Sequence, residues 1–184
     1  MTEPNRCTWC NLENPLYVQY HDAEWGVPCH DDRRLFELLV LESFQAGLSW
    51  ETILNKREAF RRAFDGFDPE KVQGYGPEKT AALMADPGIV RNRKKIEAAI
   101  GNAGRFLAIA GEWGSFDQYL WHFTRGETIY DTSIPPLPLS REIARDLKGR
   151  GMKFLGETTV HAFLQAAGVI CAHGEECYLG RAAR

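Results

Sequence analysis

An all-α fold is predicted for this 184-residue chain by two observations. Apolar residues recur at the spacing of one helix face in several segments, and polar capping residues precede those segments. No stretch alternates apolar and polar residues for long, and β-branched runs are short, so a sheet has little support. We expect one domain over residues 1–184, built as two packed helical lobes.

The first two predicted helices follow each other closely. Asp31 and Asp32 precede the run LFELLVLESFQA, and such residues favour a helix start. Glu42 falls on the apolar stripe of that run. Burial of a carboxylate is unfavourable without a partner, so an open cleft or a ligand would explain its place. Gly47 ends this helix, and Ser49 caps the next, SWETILNKREAFRRAF.

Three further helices are predicted in the middle of the chain. Asp68-Pro69 and Gly76-Pro77 open two short ones, because proline is well placed at the first helical position. The clearest helix is RKKIEAAIGNAGRFLAIA, in which the apolar residues keep a 3.6-residue spacing.

Near residue 120 the pattern changes to short helices and a loop. Ser115 and Gln118 form a capping box for FDQYLWHF. The stretch DTSIPPLPLS is predicted as a loop because its prolines cannot continue a helix, and Ser140 is expected to cap REIARDLK.

A helix-hairpin-helix is predicted near residues 140–168. The segment GRGMKFLGETTVHAFLQAAG has a turn with Gly151 and Gly156, then a helix capped near Thr158 or Thr159. A bare glycine backbone lets amides at the helix start approach a DNA phosphate, and Lys153 adds positive charge. Glycine-rich turns between helices are also common in proteins that bind no DNA.

Composition and charge restrict the class of protein. With 44% hydrophobic and 26% charged residues, the chain is typical of globular proteins, and we expect it to be cytoplasmic and without membrane contact. The net charge of −3 does not exclude local basic patches. Two occur, RNRKK at 91–95 and the group Arg145, Lys148, Arg150 and Lys153; solvated helix faces explain them equally well.

Cysteine and histidine residues near both chain ends indicate a metal site. The pairs are Cys7 and Cys10 in C-T-W-C, Tyr20-His21, and His173 and Cys177 in H-x3-C. One pair from each end would complete a tetrahedral zinc site, and spacing alone favours Cys7 with Cys10. Buried inert thiols and a CxxC redox pair are the alternatives.

Several long motifs in one order resemble those of the bacterial 3-methyladenine DNA glycosylase I family. They are C-T-W, PLYVQYHDAEWGVP, LESFQAGLSW, GIVRNRKKIEAAIGNA, GMKFLGETT and the terminal H-x3-C, and together they cover residues 6–178. The resemblance implies an all-α helix-hairpin-helix glycosylase that flips 3-methyladenine out of alkylated double-stranded DNA and hydrolyses its N-glycosidic bond.

The resemblance also assigns residues. One structural zinc ion, a zinc clamp between the N- and C-terminal segments, would be held by Cys7, His21, His173 and Cys177, with Cys10 outside the site. Base-binding residues fall on Tyr20, Glu42 and Trp50, and the wedge into DNA on Gly47 and Leu48. The DNA-binding hairpin residues are Lys153, Gly156 and Thr158.

Each base-binding residue also has a structural explanation. Trp50 at a helix start is commonly a core residue, and Tyr20 could pack beneath the metal site. Glu42 is harder to explain in that way, and we assign it recognition of the cationic base with an electrostatic contribution to bond breaking, which makes it the candidate catalytic residue.

The sequence also bears on the reaction type. No aspartate follows Asp146 and no lysine follows Lys153, so lyase chemistry from the usual family position is not expected. We expect a monofunctional, monomeric enzyme that releases free 3-methyladenine. Glu157 in the hairpin, where a proline or small residue is more usual, departs from the family pattern. The rival functions are a noncatalytic DNA-binding module and a CxxC thiol oxidoreductase.

Overall fold

A computed structural model of the chain describes residues 4–133 and 136–180. The all-α prediction is confirmed, because helices dominate the described ranges. In chain order the helices are α1 Pro15–Ala23, α2 Asp32–Gln45, α3 Trp50–Ala63, a 3-10 turn Asp65–Phe67, α4 Pro69–Gln73, α5 Pro77–Ala85, α6 Arg93–Trp113, α7 Phe116–His122, α8 Pro138–Gly149 and α9 Glu157–Ala166.

Most predicted helix starts are found where the polar caps stand. The side chains of Asp31, Ser49 and Ser115 accept hydrogen bonds from backbone amides in the first turns of α2, α3 and α7. Asp68 caps α4 in the same way, and Gly76 precedes Pro77 at the start of α5. Local side-chain chemistry therefore decides these boundaries.

Two predicted caps near the hairpin are wrong. Helix α8 begins at Pro138, so Ser140 lies inside its first turn, where its hydroxyl is 2.9 Å from His161 Nδ1. Helix α9 begins at Glu157 after the cap residue Gly156, so Thr158 is already helical. The predicted loop therefore ends earlier than expected, and its residues 134 and 135 lie outside the described part of the chain.

Two elements were not predicted from the sequence. Helix α1 starts after Asn14, whose side chain accepts from the Leu16 amide. A minimal parallel pair joins β1 Ile129–Tyr130 to β2 Ile170–Cys171. The strands are too short for an alternating pattern to reveal them.

Helix α2 lies at the centre of the fold. Its residues from Leu35 to Phe44 are all buried, and most join one continuous apolar cluster with residues from α3, α6, α8 and α9. Buried Glu37 pairs with Arg57 of α3 at 2.6 Å, which fixes the two helices side by side. Both termini of α2 are thereby positioned, including the end that carries Glu42.

Within the described ranges, none of the helices combines the length and apolar character that a bilayer crossing requires.

Candidate functional site

A cavity of about 190 Å³ opens at the C-terminal half of α2. Its walls come from the N-terminal segment and from helices α1, α2, α3 and α9. The lining residues are Trp9, Tyr17, Tyr20, Trp25, Glu42, Gln45, Trp50, Ala162 and Gln165. Five aromatic rings with a few polar groups suit a flat, polar-edged ring better than a flexible chain.

Glu42 is the buried acid of this cavity. Its residue surface is only 4% exposed, and its Oε2 atom has no hydrogen-bond partner among the described residues. Burial raises the pKa of the Glu42 carboxyl to about 8, so the side chain is largely protonated at neutral pH. A buried oxygen without a partner is unfavourable, and it points to a ligand that supplies the missing contact.

Tyr20 and Trp50 face each other across the same cavity. Their ring centroids are 5.1 Å apart, with Tyr20 on α1 and Trp50 as the first residue of α3. Burial first, and then the nearby Glu42 carboxylate, raise the pKa of Tyr20 well above its usual value, so its hydroxyl stays protonated. The indole Nε1 of Trp50 is also buried without an acceptor in the described chain. Tyr20, Trp50 and Glu42 thus supply two donors and one acidic group.

Two tryptophans of the cavity were missed by sequence reasoning. Trp9 and Trp25 pack edge to face with centroids 4.7 Å apart. Both stand inside motifs that carry the family resemblance, yet no spacing rule relates a loop residue near the N-terminus to the end of α1. Their assembly depends on tertiary contacts alone.

The turn between α2 and α3 brings Gly47 and Leu48 to the surface beside the cavity residues Gln45 and Trp50. Gly47 has a φ of +85°, a conformation that favours glycine, and Leu48 is 41% exposed. A large exposed apolar residue on a tight turn is unusual without a partner.

The hairpin between α8 and α9 presents Lys153 and Gly156 to solvent. Thr158 is exposed as well, and the first amides of α9 have no side-chain cap. Arg141, Arg145 and Lys148 line a shallow cavity of about 280 Å³ against Gly156 and Glu157. A basic surface therefore lies beside uncapped helix amides, an arrangement that favours an anion.

The two basic patches carry less free positive charge at the surface than their sequences suggest. Lys95 is buried rather than solvated, and Arg93 lies 3.7 Å from Glu97. Arg150 forms ion pairs with Glu112 at 2.6 Å and Asp146 at 2.7 Å, so it is not free for another anion. Only part of each patch carries unpaired charge at the surface.

A group that can hold a metal ion joins the chain ends. It comprises Cys7, His21, His173 and Cys177, whose ligand atoms all lie within 4.8 Å of one another. Cys10 is not a member, because its Sγ faces the Tyr17 carbonyl at 3.7 Å. The pairing of Cys7 with Cys10 that spacing alone favours is therefore wrong.

The two histidines are fixed through their second ring nitrogens. His21 Nδ1 lies 2.8 Å from the Asp22 carboxylate, and His173 Nε2 lies 3.0 Å from the Trp25 carbonyl. Hydrogen bonding to Arg6, together with that to His21, lowers the pKa of Asp22 to about 2, so it stays ionised. Donation of the N–H to these acceptors leaves a lone pair on the other nitrogen of each ring for a metal.

The metal group and the cavity share a wall. Trp25 accepts the hydrogen bond from His173 through its carbonyl, while its ring lines the cavity. Trp9 lies with its ring centroid 5.2 Å from that of His21 and lines the same cavity. The contacts that hold the metal group therefore also position the two tryptophans of the cavity wall.

The chain is similar to known proteins over nearly its whole length. Residues 9–180 match the family model described as methyladenine glycosylase. DNA-3-methyladenine glycosylase 1 of Escherichia coli K12 is 42% identical over 183 residues, which cover 95% of this chain and 97% of that protein. DNA-3-methyladenine glycosylase of Haemophilus influenzae is 39% identical over 179 residues, or 94% and 96% of the two chains.

Solved structures give the same result. 3-Methyladenine DNA glycosylase I of Staphylococcus aureus superposes with a TM-score of 0.90 at 41% identity, covering 96% of each chain; that structure concerns 3-methyladenine recognition. A variant of 3-methyladenine DNA glycosylase I in complex with 3-methyladenine superposes with a TM-score of 0.88 at 40% identity, covering 93% of this chain and 96% of that one.

Proposed function

The chain belongs to the methyladenine glycosylase family, and from that premise we propose that it excises 3-methyladenine from DNA in the cavity that holds Glu42. It is a DNA-3-methyladenine glycosylase, an N-glycosyl hydrolase of DNA base-excision repair. The observation that carries the assignment of the site is the buried Glu42 oxygen without a partner, set among aromatic rings.

The base must leave the duplex before it can enter this cavity. Flipping a base costs a few kcal/mol in lost stacking and pairing, and the pocket has to replace those interactions. Trp50 supplies a stacking face, while Tyr20 and Glu42 provide hydrogen-bonding groups for the edge of the base. Trp9 and Trp25 close the apolar wall around it.

Glu42 is proposed to recognise the positive charge of the methylated base. Methylation at N3 makes the base in the nucleotide cationic, and a carboxylate accepts a charge-assisted hydrogen bond from such a base. In the free protein the Glu42 carboxyl holds its proton, because its pKa is about 8. The positive charge of the base lowers that pKa, so the proton passes to bulk water as the base enters. The resulting ion pair lies in a water-poor cavity, where it is strong.

The remaining steps of the reaction need few further groups from the protein. The glycosidic bond breaks with its electron pair moving to the base, which neutralises the positive charge on the ring. The sugar becomes oxocarbenium-like, water adds to C1′ and then loses a proton. Negative charge on Glu42 favours the cationic sugar electrostatically, so we assign Glu42 as the catalytic residue as well as a base-binding one.

The sequence of the hairpin favours hydrolytic removal of the base without cleavage of the DNA strand. Lyase activity in this superfamily needs a lysine amine near the start of the hairpin helix, and no lysine follows Lys153 in the sequence. We therefore propose a monofunctional glycosylase that leaves an abasic site.

DNA docking is assigned to the turn and the hairpin. Leu48 is proposed to fill the gap left by the flipped nucleotide, while Gly47 permits close backbone approach. The amides after Gly156 and the Thr158 hydroxyl would bind a phosphate, with Lys153 adding salt-dependent attraction.

Zinc is the metal that best fits the terminal group. Bonds of about 2.3 Å to sulfur and about 2.0 Å to nitrogen place tetrahedral ligand atoms about 3.6 Å apart. Cys177 Sγ lies 3.5 Å from both His21 Nε2 and His173 Nδ1, and Cys7 Sγ lies 3.6 Å from His173 Nδ1. With four protein ligands the ion would be structural, joining the chain ends and the wall of the cavity.

We further propose that residues 1–184 form a single domain that acts as a cytoplasmic monomer. The continuous apolar cluster supports one domain, and genomic DNA as the substrate supports that location.

The direct test is incubation of the purified protein with methylated duplex DNA, followed by chromatographic identification of any released base. We expect free 3-methyladenine and unbroken strands. The Glu42→Gln variant should lower the excision rate at least about 100-fold, because the amide cannot become negatively charged. Tight binding without base release would favour the noncatalytic DNA-binding module instead.

The oxidoreductase alternative has its own readout. It requires a reactive Cys7–Cys10 pair, whereas burial raises the pKa of the Cys7 thiol to about 11 and that of the Cys10 thiol above its usual value. Reduction of a disulfide substrate by the metal-loaded protein would support that alternative against ours.

A further inference from the structure

Lys95 is a buried cation that the proposed mechanism does not use. The residue is only 6% exposed, and its Nζ donates to the carbonyls of Phe44 at 2.9 Å and Ala46 at 2.8 Å. Those carbonyls end helix α2, where the backbone has no further helical donors. A positive charge at a helix C-terminus is also favourable to the helix dipole.

Apart from the Ser49 cap of α3, the turn that follows α2 has little other support among the described contacts. Residues 46–49 are all exposed, and a Cβ added to Gly47 would meet nothing within 4 Å. The Leu48 amide donates to the Gln45 carbonyl at 2.7 Å. With the two bonds from Lys95, three successive carbonyls at the base of the turn are satisfied. The conformation of the turn is thus set from beneath, by hydrogen bonds rather than by packed side chains.

We propose that Lys95 is a positioning residue for the DNA wedge, holding the α2–α3 turn so that Leu48 projects from a fixed backbone. The inference rests on the proposed function, because it gives Lys95 its role through Leu48. It also explains why a lysine within a basic segment points inward. An apolar side chain in its place would leave the buried Phe44 carbonyl and the partly buried Ala46 carbonyl without this donor.

Fixed geometry matters more for a wedge than for the base pocket. Leu48 must enter the base stack as the nucleotide leaves, so a mobile turn pays an ordering penalty on each binding event. The base pocket is built from side chains of the N-terminal segment, of α1 and the residues after it, and of α2, α3 and α9, and it does not include the turn residues 46–49. Loss of Lys95 should therefore weaken DNA distortion and spare binding of the free base.

A double-mutant cycle between Lys95 and Leu48 tests this role. The readout is affinity for a duplex with a tetrahydrofuran abasic analogue, measured by fluorescence anisotropy for the wild type, Lys95→Met, Leu48→Ala and the double variant. We expect Lys95→Met to weaken binding about tenfold in the wild type but less than about twofold when Leu48 is already alanine. Lys95→Arg, which keeps the donors, should recover to within about threefold of the wild type.

Binding of free 3-methyladenine provides the control for folding. The four proteins of the cycle and Lys95→Arg should all bind the base with affinities within about twofold of one another. An equal loss in both backgrounds, a parallel loss of base binding, or a Leu48→Ala variant that binds the abasic duplex like the wild type would each overturn the proposal. If the wild type releases no base yet the cycle is non-additive, the proposed reaction fails while the role of Lys95 stands.

Discussion

The side-chain amide of Asn102 holds the backbone of Lys153 at two points. Its Nδ2 donates to the Lys153 carbonyl and its Oδ1 accepts from the Lys153 amide, each at 2.9 Å. Asn102 is buried in α6, so this long helix sets the conformation of the hairpin between α8 and α9. The backbone of the proposed DNA-binding hairpin is therefore held in place by the fold itself.

Replacement of Asn102 by alanine should disturb the conformation of the hairpin and leave the base pocket unchanged. Loss of two part-buried hydrogen bonds should lower the free energy of unfolding by about 1 to 3 kcal/mol and weaken affinity for duplex DNA. Affinity for free 3-methyladenine should not change. Chemical denaturation, DNA titration and base titration measure the three effects.

The matched control is Ser115→Ala, which removes the cap of α7 and lowers stability by about 1 kcal/mol without touching the hairpin. A DNA affinity equally reduced in both variants would show that the loss follows stability and not hairpin geometry.

The raised pKa of Glu42 predicts a pH-dependent stability difference. The carboxyl binds its proton up to about pH 8 in the folded protein, whereas an unfolded glutamate loses it near pH 4.3. Between those values folding takes up a proton, so this group makes stability fall by about 1.4 kcal/mol per pH unit as the pH rises.

Glu42→Gln lacks this titration, while the other groups are shared by the two proteins. The variant should therefore match the wild type in stability at about pH 4 and below and exceed it progressively up to pH 8. Urea denaturation at several pH values measures the difference. Parallel stability curves for the two proteins would contradict burial of an uncompensated carboxyl at this position.

The two cysteines of the C-T-W-C motif should respond differently to substitution. Cys7→Ser removes a ligand from the terminal group and should abolish stoichiometric zinc and lower the melting temperature. Cys10→Ser, with Cys10 outside the group, should keep one zinc per chain. Elemental analysis with thermal melting is the measurement, and the reverse pattern would refute the proposed ligand set.

Charge at the start of α9 should limit DNA affinity. Glu157 is exposed and lies 3.4 Å from Arg141, next to the proposed phosphate site. Glu157→Gln removes repulsion and releases Arg141, so we expect affinity to rise about two- to fivefold and the salt dependence to steepen by about one unit.

Glu58→Gln on α3 serves as the control, because Glu58 is also exposed and paired with an arginine but lies outside the hairpin. Anisotropy titrations at several salt concentrations compare the two variants. An unchanged affinity for Glu157→Gln would place the phosphate elsewhere.

Local chemistry made much of the fold predictable from sequence. Caps such as Asp31 and Ser49 act within one helical turn, so their effect can be read from neighbouring residues. The same rule failed at Ser140, because its hydroxyl contacts His161 of another helix. Tertiary contact there overrides a local preference.

The candidate site was predictable only in part. The position of Glu42 could be inferred because a carboxylate on an apolar stripe conflicts with its surroundings. The place of Trp9 in the cavity and the inward direction of Lys95 could not be inferred from the sequence. Each depends on segments that are distant in the chain and approach each other only in the folded protein. Charge patterning shows that a lysine is present but not where its ammonium points.

The protonated state of Glu42 has a consequence for undamaged DNA. Ordinary adenine carries no charge, so it cannot draw the proton from a carboxyl whose pKa is about 8. In the proposed mechanism, an undamaged base that enters the cavity therefore contacts a neutral carboxylic acid and forms no ion pair. A methylated base, which is cationic, lowers the pKa of Glu42 and pairs with the resulting carboxylate. In this mechanism, discrimination between the methylated base and ordinary adenine is thus coupled to release of one proton. Selectivity for the methylated base should therefore increase as the pH rises toward 8, where the carboxylate exists in advance and a neutral base leaves it without a partner.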